Sequence, residues 1–253
     1  TRSRSSHHST FASIVFRLAH RRRLVFLSKI IYSVGALEQM AKLSSDGSGI
    51  GVSLSRIRAK GSWVRNEKGA SNGVINYIKL INDVALTFDQ MGKRAGSITV
   101  ALDSWHLDIF EFLELQTENG DLRRKAFDIF PQMVVSDLFM KRVDNNENWT
   151  LFDPFEIREK YNVELAELYG QEFETLYEKL EKDNSILLKK TVKAKDIFVK
   201  FLKVVIETGL PYLVYKDTIN EVNPNKHSGT IGNVNLCVAG DTKILTKNGY
   251  KDI

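Results

Sequence analysis

From residue 37 onward the apolar positions switch repeatedly between a period near 3.6 and a period of two, as expected when helices alternate with strands. Leu37-Glu-Gln-Met-Ala-Lys-Leu43 has helical spacing and ends in the turn Ser44-Ser-Asp-Gly-Ser-Gly49. Ile50-Gly-Val-Ser-Leu54 alternates as a strand. A polar, Gly-containing loop follows over residues 61–73, and Ile75, Ile78, Ile81, Val84, Ala85 and Phe88 then mark one face of a helix. Gln90-Met-Gly-Lys-Arg-Ala-Gly96 breaks the pattern, and Ser97–Leu102 reads as a buried strand.

Asp108 is placed to cap a helix over Ile109–Leu115, and Asn119-Gly120 is a turn. Val134, Val135, Leu138 and Phe139 form an apolar patch beside Asp137, another candidate cap. Amphipathic helices are predicted over Gln171–Lys182 and Ala194–Glu207, the second stopped by Gly209 and Pro211. Tyr212–Tyr215 and Thr230–Leu236 read as short strands around the loop at 223–229. This order predicts an α/β domain with a largely parallel sheet.

Charge changes the picture only at one end. The net charge of +5 suggests an anionic partner. Yet residues 1–37 hold seven of the 36 Lys and Arg and none of the 31 Asp and Glu, leaving 29 basic against 31 acidic residues elsewhere. The excess therefore belongs to a Ser- and Arg-rich segment, residues 1–36, and the body gives no reason to expect direct nucleic-acid binding. A transit peptide, a solvated basic arm and a misread coding start all have that composition. No run approaches the roughly 20 apolar residues of a membrane helix, and one cysteine excludes an internal disulfide and a Cys-rich metal site.

A more specific signal lies in blocks found in collinear order across about 37–237. They include Gly49-Ile-Gly-Val52, Ile57-Arg-Ala-Lys-Gly-Ser62, Ser71-Asn-Gly-Val74, Asp89-Gln-Met-Gly-Lys-Arg94 and Trp105-His-Leu-Asp-Ile-Phe-Glu-Phe-Leu113. Asp137-Leu-Phe-Met-Lys-Arg-Val143, Trp149-Thr-Leu-Phe-Asp-Pro154, Thr208-Gly-Leu-Pro-Tyr212, Tyr215-Lys-Asp217 and Asn235-Leu-Cys237 continue the series. Together they resemble the large, catalytic subunit of class I ribonucleotide reductase.

That resemblance implies part of a ten-stranded α/β barrel. A cysteine thiyl radical there abstracts the ribose 3′-hydrogen, the 2′-hydroxyl leaves as water, and a cysteine pair supplies the electrons. It implies dNTP or ATP effectors and a radical delivered by a separate metal-bearing small subunit, with no cofactor bound by this chain. It also implies a cytoplasmic homodimer when complete, and an isolated piece that is inactive without the downstream half of the subunit.

Carried over residue by residue, Gly49 lets backbone approach the ribonucleotide substrate, since glycine offers an unobstructed N–H; an ordinary turn glycine is the alternative. Arg58 and Arg65 fall in the loop that binds effector phosphates, where guanidinium groups can act bidentately. Arg94 lies in the loop between effector and substrate, although Met91 and Ala95 depart from the usual residues. Asn235 matches the asparagine that holds the ribose hydroxyls, because an amide both donates and accepts. Trp105-His106 is a family marker better suited to packing and capping than to catalysis.

Cys237 admits two readings. As the reductase cysteine it would carry the radical, but Ala239 stands where a carboxylate base is expected. Cys237-Val-Ala-Gly-Asp-Thr-Lys-Ile-Leu245 instead resembles the opening of an intein, whose first cysteine attacks the preceding carbonyl in an N-to-S acyl shift. The expected organisation is thus a non-matching segment at 1–36, a partial barrel at 37–236 and a truncated, β-rich intein start at 237–253.

Overall fold

The structure, a computed structural model, describes residues 34–64, 67, 69–89 and 96–235, together with strand segments at 14–16, 24–27, 243–246 and 249–252. In chain order the elements are β1 (Ile14–Phe16), β2 (Leu24–Leu27), α1 (Val34–Ser45), β3 (Ile50–Ser53), α2 (Val74–Thr87) and β4 (Ile98–Asp103). There follow α3 (Ile109–Leu113), β5 (Phe130–Val135), α4 (Asp137–Asp144), β6 (Asn148–Phe152), α5 (Pro154–Tyr161) and α6 (Gly170–Lys182). The series ends with β7 (Lys189–Lys193), α7 (Ala194–Thr208), β8 (Tyr212–Tyr215), α8 (Lys216–Glu221), β9 (Lys243–Thr246) and β10 (Gly249–Asp252).

Six strands form one sheet in the order β1-β2-β3-β4-β5-β8. All neighbours from β2 to β8 run parallel, and β1 alone is antiparallel. The expected α/β class with a mainly parallel sheet is what the chain adopts. β6 and β7 pair antiparallel as a separate ribbon, as do β9 and β10.

Because side chains alternate across a strand, the register divides the sheet into two unlike faces. Ile50, Val52, Ile98, Val100, Leu102 and Met133 point to the helices, joining Ile75, Ile78 and Ile81 of α2 in the main core. The opposite face carries Gly51, Ser53, Thr99, Ala101, Asp103 and Gln132. Its only apolar cluster among the described residues is Ala101, Val134 and Val214, with Ile219 and Val234 against it. Every residue of β4 is buried, so both faces are covered.

The ribbon β6–β7 docks through aromatic packing. Trp149 stacks on Tyr177 with centroids 4.3 Å apart and meets Phe139 edge-on at 5.0 Å. Tyr177 Oη accepts from Thr150 N at 2.7 Å and donates to Thr150 O at 2.8 Å. Burial, with the Glu181 carboxylate behind it, pushes the Tyr177 hydroxyl well above its ordinary value.

Three local expectations need correction. Asp108 precedes α3 but makes no side-chain cap there; its carboxylate accepts from Val74 N at 3.0 Å, at the start of α2. That approach needs Gly73, since a Cβ there would collide with Asp108 Oδ2, and its φ of 74° also suits glycine. Helix α4 is capped by Ser136, which accepts from Phe139 N at 3.2 Å, while Asp137 occupies the first turn. Finally, residues 231–235 form no strand; their backbone is held by side chains instead.

Candidate functional site

Residues 231–235 lie along the polar face of the sheet and run antiparallel to β3. A Cβ built on Gly232 would come 3.4 Å from Ser53 Oγ, at the C-terminal end of β3. One built on Gly51 would collide with Asn233 Nδ2, and one on Gly49 would collide with Asn235 Nδ2 and lie 3.0 Å from its Cγ. The glycines at 49 and 51 thus clear a track for two asparagine side chains. The sequence expectation had Gly49 opening space for a nucleotide; here that space is filled by the amide of Asn235, so two predicted site residues meet directly.

The track is polar because its partners must be satisfied in a buried setting. Thr99 Oγ1 lies 2.9 Å from the Val234 carbonyl and 3.2 Å from that of Ile50, able to donate to one of them at a time. Gln132, fully buried, donates from Nε2 to Val234 O at 2.6 Å and accepts from Val234 N at 3.1 Å. Asn220 treats Ile231 the same way, accepting from its N–H at 2.7 Å and donating to its carbonyl at 3.0 Å. At the C-terminal end of β4, Lys216 donates to Asp103 Oδ1 at 3.0 Å and to Ala166 O at 2.8 Å. Both residues are nearly inaccessible, and Asp103 Oδ2 has no partner among the described residues.

Arg58 sits beyond the opposite end of β3 from Gly49, in the loop after the strand. Its guanidinium lies 4.1 Å over the Phe155 ring and Nη1 donates to Trp63 O. The backbone on both sides of Arg58 is pinned by buried groups. His106 Nε2 bonds Ile57 O at 2.8 Å, Asp153 accepts from Ala59 N and Ser62 Oγ, each at 2.7 Å, and Asp108 accepts from Lys60 N at 3.1 Å. A carbonyl only accepts, so Nε2 carries the proton, and Nδ1 accepts from Asp108 N at 3.1 Å. Trp105 and His106 are buried, as the packing expectation had it, but the expected cap on the following helix is not made; the His106 ring instead bonds the loop that presents Arg58.

Arg65, Arg94 and Cys237 lie outside the described residues, as does the breaker at 90–95. Gln132, Asn220, Thr99 and Asp153 were not picked out from the sequence. Of these only Asp153 had a local signal, an Asp followed by Pro154 at a helix start. Among the described residues no three His, Cys, Asp or Glu side chains converge as a metal site would require, and no helix is long and apolar enough to cross a membrane.

Comparison with known proteins bears on what such a site is for. Residues 28–239 match the family described as ribonucleotide reductase, barrel domain. The chain is 54% identical over 205 residues to the ribonucleoside-diphosphate reductase subunit alpha of Synechocystis, covering 80% of this chain and 27% of that protein. It is 45% identical over 202 residues to the large subunit of Plasmodium falciparum ribonucleoside-diphosphate reductase and 42% identical over 202 to that of Arabidopsis thaliana. Each of those alignments covers 79% of this chain and 24% of the relative, so the chain spans about a quarter of their length.

Proposed function

The chain belongs to the ribonucleotide reductase barrel-domain family, and from that premise we propose that it is the substrate-facing part of a ribonucleoside-diphosphate reductase large subunit. Residues 37–236 form one portion of its ten-stranded barrel, and the remainder of the subunit supplies the rest. The reading is carried by the meeting of Gly49 and Asn235 on the polar face of the sheet. An amide held at that edge can accept from one ribose hydroxyl and donate to the other, leaving the 3′-hydrogen exposed to a thiyl radical. The radical takes that hydrogen, the 2′-hydroxyl departs as water, and a cysteine pair elsewhere in the subunit is oxidised to a disulfide.

Arg58 and Arg65 hold the phosphates of a dNTP or ATP effector, and Arg94 reaches the substrate. A metal-bearing small subunit delivers the radical, and the complete enzyme works as a homodimer in the cytoplasm. The test is CDP reduction by the complete large subunit with its small subunit. Asn235→Ala is expected to lower turnover by about a hundredfold, the scale of losing a positioned hydrogen-bonding group. Arg58→Ala should leave basal binding of CDP intact and abolish dNTP binding. A complete enzyme with no nucleotide reduction would refute the assignment.

A second reading concerns Cys237 alone. The family match ends at 239, and β9 and β10 form a ribbon apart from the barrel sheet. On this reading, with Ala239 where a carboxylate is expected, Cys237 is the first residue of an intein, and its thiol attacks the Leu236 carbonyl. Added thiol would release a product ending at Leu236 if this holds; an uncleaved chain under the same conditions would leave Cys237 to the reductase.

A further inference from the structure

Two buried side-chain amides, on different elements, each close both backbone groups of one residue in the segment leading to Asn235. Asn220 of α8 brackets Ile231, and Gln132 of β5 brackets Val234. Both amides are at least 99% buried. An amide side chain used this way stands in for the backbone of a neighbouring strand, since it carries one acceptor and a donor in one plane. The segment therefore gains the pairing of a β-bridge at two points without joining the sheet, and the residues between and beyond stay out of any ladder.

The spacing matters. Two residues separate the bracketed positions, and the second bracket falls immediately before Asn235. A strand would fix every residue and turn alternate side chains into the sheet. Two brackets fix the path while leaving the Asn235 side chain to be set by its fit over Gly49. Thr99 Oγ1, 2.9 Å from Val234 O, reinforces the second point. We infer that Gln132, supported by Thr99 and in concert with Asn220, is a positioning residue that sets Asn235 for its substrate. This rests on the proposed reductase role of Asn235, but the bracket itself can be tested without it.

Gln132→Met preserves length and removes both polar partners; Thr99→Val is isosteric and removes one. The first readout is amide exchange in the full chain. In Gln132→Met, Val234 N–H should exchange about tenfold faster or more, as expected when a buried peptide loses its partners. Amides of β4 and β5 should keep their wild-type protection. Thr99→Val should give a smaller change at the same place, and serves if Gln132→Met does not fold. Unchanged Val234 exchange in the variants, or loss of protection spread over the whole sheet, would overturn the inference.

The second readout uses the complete reductase. Gln132→Met should lower kcat by tenfold or more while effector affinity stays at its wild-type value, because the Arg58 loop is pinned by other residues. General damage would lower both together, and unchanged kcat would overturn the positioning role. If the wild-type enzyme reduces no nucleotide, the assigned activity fails, while the exchange result still decides whether the brackets exist.

Discussion

The two faces of the parallel sheet are built from adjacent residues and yet do opposite things. On β4, Ile98, Val100 and Leu102 enter the helix-covered core, while Thr99, Ala101 and Asp103 face residues 231–235 and Lys216. The first face is apolar throughout and its contribution is burial. Along β3 and β4 the second carries small and polar groups whose contribution is fit: glycines where asparagines must pass, polar side chains where a backbone must be held. Parallel strands buried on both faces usually read as continuous apolar runs. The departure from that here, Ile-Gly-Val-Ser in β3 and Ile-Thr-Val-Ala-Leu-Asp in β4, marks the face against which residues 231–235 lie.

The sharpest way to break the contrast is at its most costly polar element. Lys216→Met leaves the Asp103 carboxylate buried without its cation, and should cost about 3–5 kcal/mol in urea unfolding. Replacing both, as Asp103→Leu with Lys216→Met, should recover most of that loss. Equal destabilisation by the single and double variants would show that the pair is not the source.

A neighbouring pair of substitutions then compares the faces directly. Ile98→Ala opens a cavity in the helix-covered core and should cost about 2–4 kcal/mol. Thr99→Val, one residue on, should cost about 1 kcal/mol. Equilibrium unfolding of the two variants checks the difference, and a larger loss at Thr99 would reverse the assignment of stability to the helix face.

The smallest effect lies off the sheet and gives a reference for both faces. Hydrogen bonds from the Tyr161 hydroxyl and from Ser185 lower Asp183 from an ordinary 3.8 to about 2. A depressed carboxylate stabilises the fold above its unfolded value, and that contribution fades as pH falls from about 4 toward 2. An NMR titration of the Asp183 carboxyl should show the value rise toward 3.8 in Tyr161→Phe, with β3 and β4 resonances unmoved.

Much of this was legible in the sequence because it is local. The alternation at 50–54, the helical face from Ile75 to Ala85 and the stop at Gly209 each depend on near neighbours. Gly49 and Asn235 were singled out through the blocks that contain them, and the structure brings the two together, although that contact was not foreseen. The brackets were invisible for a physical reason: Gln132 finds its partner 102 residues away and reads locally as one polar residue in a strand. Asp108 misled in the same way, since it stands before one helix and caps another that begins 34 residues earlier. The strand β7 was missed because it pairs only with β6 and is mostly exposed, so Lys-Lys-Thr-Val-Lys shows no apolar alternation.

The central claim is that the polar face exists to seat Asn235, and Gly49→Ala in the complete enzyme tests it most directly. The atoms nearest a Cβ there belong to the Asn235 amide, so that side chain is the group that must shift. The account predicts an unfolding midpoint near wild type together with turnover reduced by about a hundredfold, the scale of a misplaced binding group. Wild-type turnover in that variant would contradict it, because Asn235 could not then depend on the space that Gly49 leaves.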